Sequence, residues 1–548
     1  MRYVYMFETR GIQRFLFASG RLRDMLGGSE LVDYLCADGG LLDQTLRRLE
    51  LTPDVVRKAG GAFYLLFITR EEAERLRAAW RLACAHWLPG VEKVDVLASG
   101  KSAREAIANG LELLREERNR MRADLPRPGP LAERSARTGF AAVKRERDEA
   151  MDAATARQRS FNRPADSLPL ASRFLDGNGF IWPVNFEETA PARSRFPLGE
   201  RRLVGLLHAD GNGLGELLRT LNHACERAED KSYIRLYRKF SDGLGRATLR
   251  AAQTASREVL VPAAENGVLP ARPLVLGGDD LTIVLRADLA LGFARVFLAA
   301  FEAETREAMD GLRQIFVDEG LAEHARALPA HLTACAGLCY MKCSQPFHAG
   351  HELAESLCKR AKGASRKVRQ AGDPMPATLA LHKVQDSLLE DAESQFRQNH
   401  VARHEVAADA TARAPELHLA LPAYALHPTA GLPALDDLLA LTTVFDRSTS
   451  AGALNDRPLR ELATMMHANL PLARHAYVRW RDLATREHKA ALGRFDAALG
   501  ALVGETAPDL PCSRPEPDTA LTHSPISDLL SLLTVRPSTS TEAERLAR

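Results

Sequence analysis

Residues 273–285 read PLVLGGDDLTIVL. Two short apolar runs flank Gly277, Gly278, Asp279 and Asp280, and a Gly-rich tetrad between apolar runs is a hairpin signature. Adjacent carboxylates at a hairpin tip repel one another unless positive charge sits between them. The pair is therefore either a solvated turn or a site for a cation.

The sequence on either side places this hairpin in a fold. RRLVGLLHADGNGLGELLRTL (201–221) opens with an apolar run, Leu203 to Ala209, that suits a buried strand, then a Gly-rich turn and a helix. A long helix around 232–256 precedes the hairpin, and another from about 287 to 313 follows it. The strand HLTACAGLCYMK, the helix AGHELAESLCKRAKG and a final strand, ATLALHKV, complete the unit. Without insertions the order is β-α-β-β-α-β, a ferredoxin-like or palm arrangement with two helices on one face of an antiparallel sheet. In that order the first strand neighbours the central hairpin, so Asp210 joins Asp279 and Asp280 at one sheet edge. Magnesium, or manganese in its place, takes oxygen ligands of this kind and commonly works through one or two carboxylates plus substrate phosphates. Three carboxylates there suit metal-assisted phosphoryl transfer, with all three as metal ligands. Gly211, Asn212 and Gly213 in the loop after Asp210, together with Gly277 and Gly278, offer close backbone approach to a phosphate. Lys362 is the cation placed to reach a triphosphate. Cations near the end of a helix also suit its dipole, which is the plainer reading of Lys359, Arg360 and Lys362.

An earlier unit repeats the pattern. Residues 2–7 read as a strand, and GIQRFLFASGRLRDMLGGSELVDYL as helix, interrupted at Gly27 and Gly28 with Ser29 capping the next segment. AGGAFYLLF (59–67) carries a Gly-Gly pair into an apolar strand. Set beside GGDDLTIVL, it has Ala62 and Phe63 where the later copy has Asp279 and Asp280, so the first copy is expected to hold no metal. The division expected is an inactive palm-like domain over 1–118, a proline-rich connecting module over 119–200, the GGDD palm over 201–390, and a linker and helical domain over 391–548. The fold class is α+β: two ferredoxin-like palm domains plus an α-helical C-terminal domain.

Composition agrees with an ordinary globular chain. Its 548 residues are 45% hydrophobic and 26% charged, too long for a single core and without a stretch long enough to span a bilayer. The N-terminus lacks a signal-peptide pattern, and eight cysteines without paired spacing form no disulfide framework, so a reducing cytoplasm is expected. Net charge is +2, which gives no global pull toward nucleic acid. The stretch from Arg115 to Arg147 is locally basic, a solvated helix face or a contact for RNA or a partner.

The ordered set ADGNGLG, LGGDD and HLTACAGLCYMKCSQPFHAGHELAESLCKRAKG resembles the active palm domain of the large subunit of type III CRISPR effector complexes. That palm is nucleotidyl-cyclase-like and distantly related to diguanylate cyclases. FETRGIQRFLFASGRLRDMLGGSELV and AGGAFYLLF are similar to that family's first, inactive palm, and ATLALHKV to its closing strand. STSAGALNDRPLRELATMMHANLPLARHAYVRW is similar to its helical C-terminal domain. The resemblance implies a synthase of cyclic oligoadenylate from ATP, with two nucleotides between the palms and one 3′-hydroxyl attacking the other's α-phosphate. It also implies CRISPR effector subunits and guide and target RNA as partners, and no membrane. There are departures. The sequence has no His-Asp dipeptide, so HD nuclease activity is not expected, and PLAERSARTGFAAVKRE has no cysteine for a connecting zinc site. Asn212 stands where a second acidic residue often occurs. A catalytically weak scaffold, or a cyclase using GTP or another acceptor, remains as an alternative.

Three other sets of residues read as structural. Cys335, Cys339 and Cys343 on an extended strand are too far apart to share one ion. His208 reads as a strand histidine with a local hydrogen bond, and Tyr477 with Trp480 as packing inside a helical domain.

Overall fold

The computed structural model describes residues 1–536 except 121–128, 162–168, 176–178, 187–190, 226–228, 371, 386–391, 404–415, 447–452 and 516–520. Part of the Arg115–Arg147 stretch, and Pro126, Pro128, Pro164 and Pro517 of the proline-rich segments, therefore lie outside the described residues.

β1 (Arg2–Arg10), β2 (Asp54–Ala59), β3 (Ala62–Phe67) and β4 (Glu92–Gly100) form an antiparallel sheet in the order β2-β3-β1-β4. This is the ferredoxin-like order. β3 is apolar along its whole length because helices cover both of its faces. Phe63 meets Trp80 of the Arg70–Trp87 helix edge-on at 5.1 Å, while Tyr64 and Leu66 share the opposite core with Ile107 and Leu114 of the Ala103–Asn119 helix.

The reading of Gly27 and Gly28 as a helix break is corrected. One helix runs unbroken from Leu22 to Cys36. A Cβ on Gly27 would lie 1.8 Å from the Gln158 carbonyl oxygen, so the glycine pair admits a neighbouring backbone rather than ending the helix. Ser29 caps nothing; its hydroxyl donates to the Leu274 carbonyl of the second unit.

A hairpin of β5 (Ala142–Glu146) and β6 (Glu149–Asp152), then the Ala153–Ser160 helix, lie between the units. Arg159 bonds both carboxylate oxygens of Asp24, each at 2.8 Å, and ties this segment to the first unit.

The second unit repeats the topology. β7 (Leu203–Gly211), β8 (Ala271–Gly277), β9 (Asp280–Arg286) and β10 (Ala334–Lys342) lie in the order β10-β7-β9-β8. The Asp230–Ala255 and Ala287–Asp318 helices share a core with one face of this sheet. The Phe347–Val368 helix packs on the other through Leu353, Leu357 and Cys358. The ferredoxin-like core closes at β10, so the segment 377–384 is an addition and not its last strand. β11 (Thr378–Lys383) pairs parallel to β10, because the helix between them carries the chain back to the same end of the sheet.

The two units touch at their hairpin tips, where a Cβ on Gly277 would stand 3.1 Å from Gly60 Cα.

β12 (Val401–Arg403), β13 (Glu416–His418) and β15 (Leu521–His523) make a small sheet, and β14 (Tyr424–Ala425) extends the palm sheet beside β11. Among the described residues five helices follow β14: Leu435–Thr443, Arg457–Ala468, Leu470–Glu487, Lys489–Val503 and Ile526–Val535. Tyr477 and Trp480 stack at 5.7 Å inside this bundle, both buried, as expected for packing. Among the described residues, no helix is long and apolar enough to cross a membrane.

Asp528 joins the bundle to the palm. It accepts from the Tyr424 hydroxyl at 2.6 Å and from the Leu421 N–H at 2.9 Å. Burial pushes its carboxyl up to about 7, against the lowering effect of those bonds. The folded state therefore holds a proton that the unfolded chain releases near pH ~4. The stability it contributes is complete below about pH 4 and is lost as pH rises through about 7. Asp528→Asn keeps an acceptor oxygen and cannot ionise. Urea midpoints of the variant are expected to fall less between about pH 5 and pH 8 than those of the wild type; equal slopes would show that Asp528 does not titrate in this window.

Candidate functional site

The β7–β9 ladder sets Asp210 directly opposite Asp280. The turn between Gly277 and Asp280 consists of Gly278 and Asp279 alone, with Gly278 at φ +61°. Asp279 then leans over the end of β7: a Cβ on Gly211 would stand 2.9 Å from Asp279 Cβ and Oδ2. Any side chain at 211 would displace the carboxylate, which gives this glycine a spatial reason. Gly213, at φ +75°, starts the Leu214–Ala224 helix.

The structure thus brings Asp210, Asp279, Asp280, Gly211, Asn212, Gly213, Gly277 and Gly278 to one end of the sheet. Lys362 joins them from the Phe347–Val368 helix. Its Nζ donates to Asp210 Oδ2 at 2.5 Å and to the Gly211 carbonyl at 2.8 Å. Asn212 is buried and turned toward β10, donating to Thr333 Oγ1 at 2.9 Å and Cys335 Sγ at 3.2 Å. Cys335 and Cys339 are buried in β10, and no cysteine is in a disulfide.

The carboxylates are electrostatically crowded. Burial, then the charge of Asp210 and a hydrogen bond with it, pushes Asp279 up to about 7. Burial, then Asp210 and Asp279, raises Asp280 well above the usual carboxylate range. Lys362 opposes both shifts. His208 shares a hydrogen bond with Thr282 Oγ1 at 3.1 Å, and burial lowers its affinity for a proton. The same Nδ1 lies 3.4 Å from Asp280 Oδ1, which is buried and has no hydrogen-bond partner among the described residues.

An acceptor oxygen in this position costs free energy unless something positive meets it. The donor set is all oxygen, which suits a hard divalent cation. Among the described residues no three His, Cys, Asp or Glu side chains are disposed to hold a metal ion by themselves. Magnesium commonly keeps waters and shares its shell with substrate phosphates, so an incomplete protein shell is compatible with it.

The first unit holds a counterpart that sequence alignment placed one residue away. Strand register matches Gly61 and Ala62 with Asp279 and Asp280, because Ala59 faces Ala62 as Gly277 faces Asp280. Glu8, opposite Ala62, takes the place of Asp210. Its Oε1 accepts from the Tyr64 hydroxyl at 2.6 Å, and its Oε2 from Arg118 Nε at 3.0 Å. Arg118 and Lys362 each lie fifteen residues beyond the first residue of their helices. Both cations reach the carboxylate at the end of their own palm's first strand.

Sequence reading missed Glu8, Arg118 and one further residue. Thr248, in the Asp230–Ala255 helix, donates to the Gly278 carbonyl at 2.6 Å and pins the hairpin tip. No motif marks a threonine thirty residues away on a helix. Thr248→Val removes this bond at nearly constant volume. Turnover at the site is expected to fall about fivefold with KM little changed, since the lost bond of ~1 kcal/mol orients Asp279. Unchanged turnover would remove Thr248 from the support of the tip.

No protein-family model matches the chain, and no curated protein does. Among solved structures, the chain is similar to one in a Csm1–Csm4 cassette in complex with cA3, at 13% identity and TM-score 0.47, covering 97% of this chain and 69% of that one. Against the same cassette with cA4 the values are 12%, 0.39, 73% and 58%. With pppApApA they are 14%, 0.39, 66% and 52%. The chain thus spans about half the length of the last of these, the chain in the pppApApA complex. At such identities and scores the likeness assigns no residue a role; strand register is what groups the site residues.

Proposed function

We propose that the second palm is a metal-dependent nucleotidyltransferase that joins ATP into cyclic oligoadenylate within an RNA-guided antiviral complex. The observation that carries this reading is the pairing of Asp210 with Asp280 across the β7–β9 ladder, with Asp279 folded over Gly211. The ordered motifs that resemble the type III CRISPR large subunit support the choice of reaction.

Asp210, Asp279 and Asp280 would hold a divalent ion, which supplies neutralisation of phosphate charge and acidifies the attacking hydroxyl. The chain's own residues do the rest. Lys362 bonds Asp210 and holds its carboxylate at the end of β7. The glycines at 277 and 278 keep side-chain bulk away from the tip. The free N–H groups at the start of the Leu214–Ala224 helix favour a phosphate. Glu8 is already satisfied by Arg118 and Tyr64, so the first palm serves as a wall without metal.

The test is incubation of the purified chain with α-labelled ATP or GTP and Mg²⁺, alone and with its cognate complex and target RNA. Cyclic oligoadenylate from ATP, rising with the complex, is expected. No product from either triphosphate under any of these conditions would leave the scaffold reading. In crystals soaked with ATP and Mn²⁺, anomalous signal is expected beside Asp210 and absent beside Glu8. Signal at Glu8 would overturn the division of labour between the palms.

A further inference from the structure

A cleft of about 470 Å³ lies between the end of β11, the Ala392–His400 helix and two helices of the C-terminal bundle, Arg457–Ala468 and Ile526–Val535. It belongs to neither palm's hairpin and shares no residue with the carboxylate site. Among the described residues its charged lining is entirely basic, with no aspartate or glutamate. Lys383 projects from the end of β11, with no carboxylate bound to it among the described residues. Arg460 enters from the facing helix; it bonds Asp456 at 2.8 Å and Thr534 Oγ1 at 3.2 Å. His467 closes one end, hydrogen-bonded to the Asn399 carbonyl at 2.9 Å. Burial, then the like charges of Arg460 and Lys342, lowers the proton affinity of Lys383. A half-buried lysine crowded by cations is destabilising unless an anion enters.

The remainder of the lining says what kind of anion. Gln385, Asn399 and Thr464 supply amide and hydroxyl groups, while Leu419 and Leu530 add apolar surface. Free phosphate or pyrophosphate would leave most of this volume and all of the apolar surface unused. Pockets of roughly 300–1,000 Å³ with mixed linings suit a whole small molecule.

We propose that this cleft binds a small phosphorylated ligand of nucleotide size, its phosphate held by Lys383 and Arg460. Charge-assisted hydrogen bonds from both cations carry the affinity. The amides and apolar wall receive the nucleoside. The site is independent of the carboxylate site, and neither reading depends on the other. Because it bridges β11 and the C-terminal bundle, occupancy ties these two parts together.

The experiment is calorimetric titration of the full chain with AMP, and separately with inorganic pyrophosphate, in EDTA so that metal-dependent binding at the carboxylates is silent. AMP is expected to bind one-to-one and pyrophosphate at least about tenfold more weakly. Lys383→Gln with Arg460→Gln is expected to weaken AMP at least about tenfold. Lys383→Arg should retain AMP binding and so separates loss of charge from loss of fold. Asp279→Ala with Asp280→Ala should leave it unchanged. The proposal is overturned if millimolar AMP does not bind, or if its binding survives the Lys383/Arg460 change. Loss in the Asp279/Asp280 variant, or pyrophosphate binding as tightly as AMP, overturns it equally.

Discussion

Asp279→Ala combined with Asp280→Ala is expected to lower nucleotide product formation by at least about 1,000-fold, because it removes two of the three oxygen donors proposed to meet the developing phosphate charge. The fold should survive. Asp279 stands in the turn and Asp280 begins β9, and among the described residues neither donates to a core hydrogen bond. The metal-free protein should in fact melt no lower than the wild type. Both carboxyls are raised by burial and then by the charge of Asp210, so at neutral pH they oppose folding. Activity and stability are therefore expected to move in opposite directions. Product at a near wild-type rate would place the metal site elsewhere. Asp210→Ala should give the same loss of product, since it removes the remaining ligand from the neighbouring strand.

Lys362→Met is expected to cost about 100-fold in product formation. The change keeps the length of the side chain and removes the ammonium that bonds Asp210 and the Gly211 carbonyl. Without it, Asp210, Asp279 and Asp280 share a small volume with no lysine to offset them. Here stability should fall together with activity in the metal-free protein, the reverse of the Asp279/Asp280 pair. High Mg²⁺ should recover part of both, by supplying the missing positive charge. A variant with full activity at low Mg²⁺ would show that Lys362 is only a helix-end cation.

Much of the site was legible because it depends on local chemistry. Glycines bracket a tight turn, carboxylates follow them, and alternating apolar runs make strands, all within a few residues. The repeat was also visible, through its Gly-Gly pair and apolar strand. Its register was not. Matching letters put Ala62 and Phe63 against Asp279 and Asp280, whereas backbone pairing puts Gly61 and Ala62 there. A slip of one residue moves every side chain to the other face of a sheet, and hydrogen bonding decides it, not composition. Gly27 and Gly28 misled for a related reason. Glycine lowers helix propensity by about 1 kcal/mol, yet packing against Gln158 outweighs that preference.

By itself the sequence determined two palm-like units, the acidic tip of the second and a helical C-terminal region, because periodicity and turn chemistry are properties of short segments. Tertiary structure alone decided the partners. It set Lys362 on Asp210, Arg118 on Glu8 and Thr248 on the Gly278 carbonyl. It also decided that β11 extends the sheet in parallel rather than closing it, and that Lys383 faces Arg460 across a cleft. These contacts join residues tens to hundreds of positions apart. They exist only because sheet order and helix packing bring distant segments within a few ångströms, where charge and hydrogen bonding act.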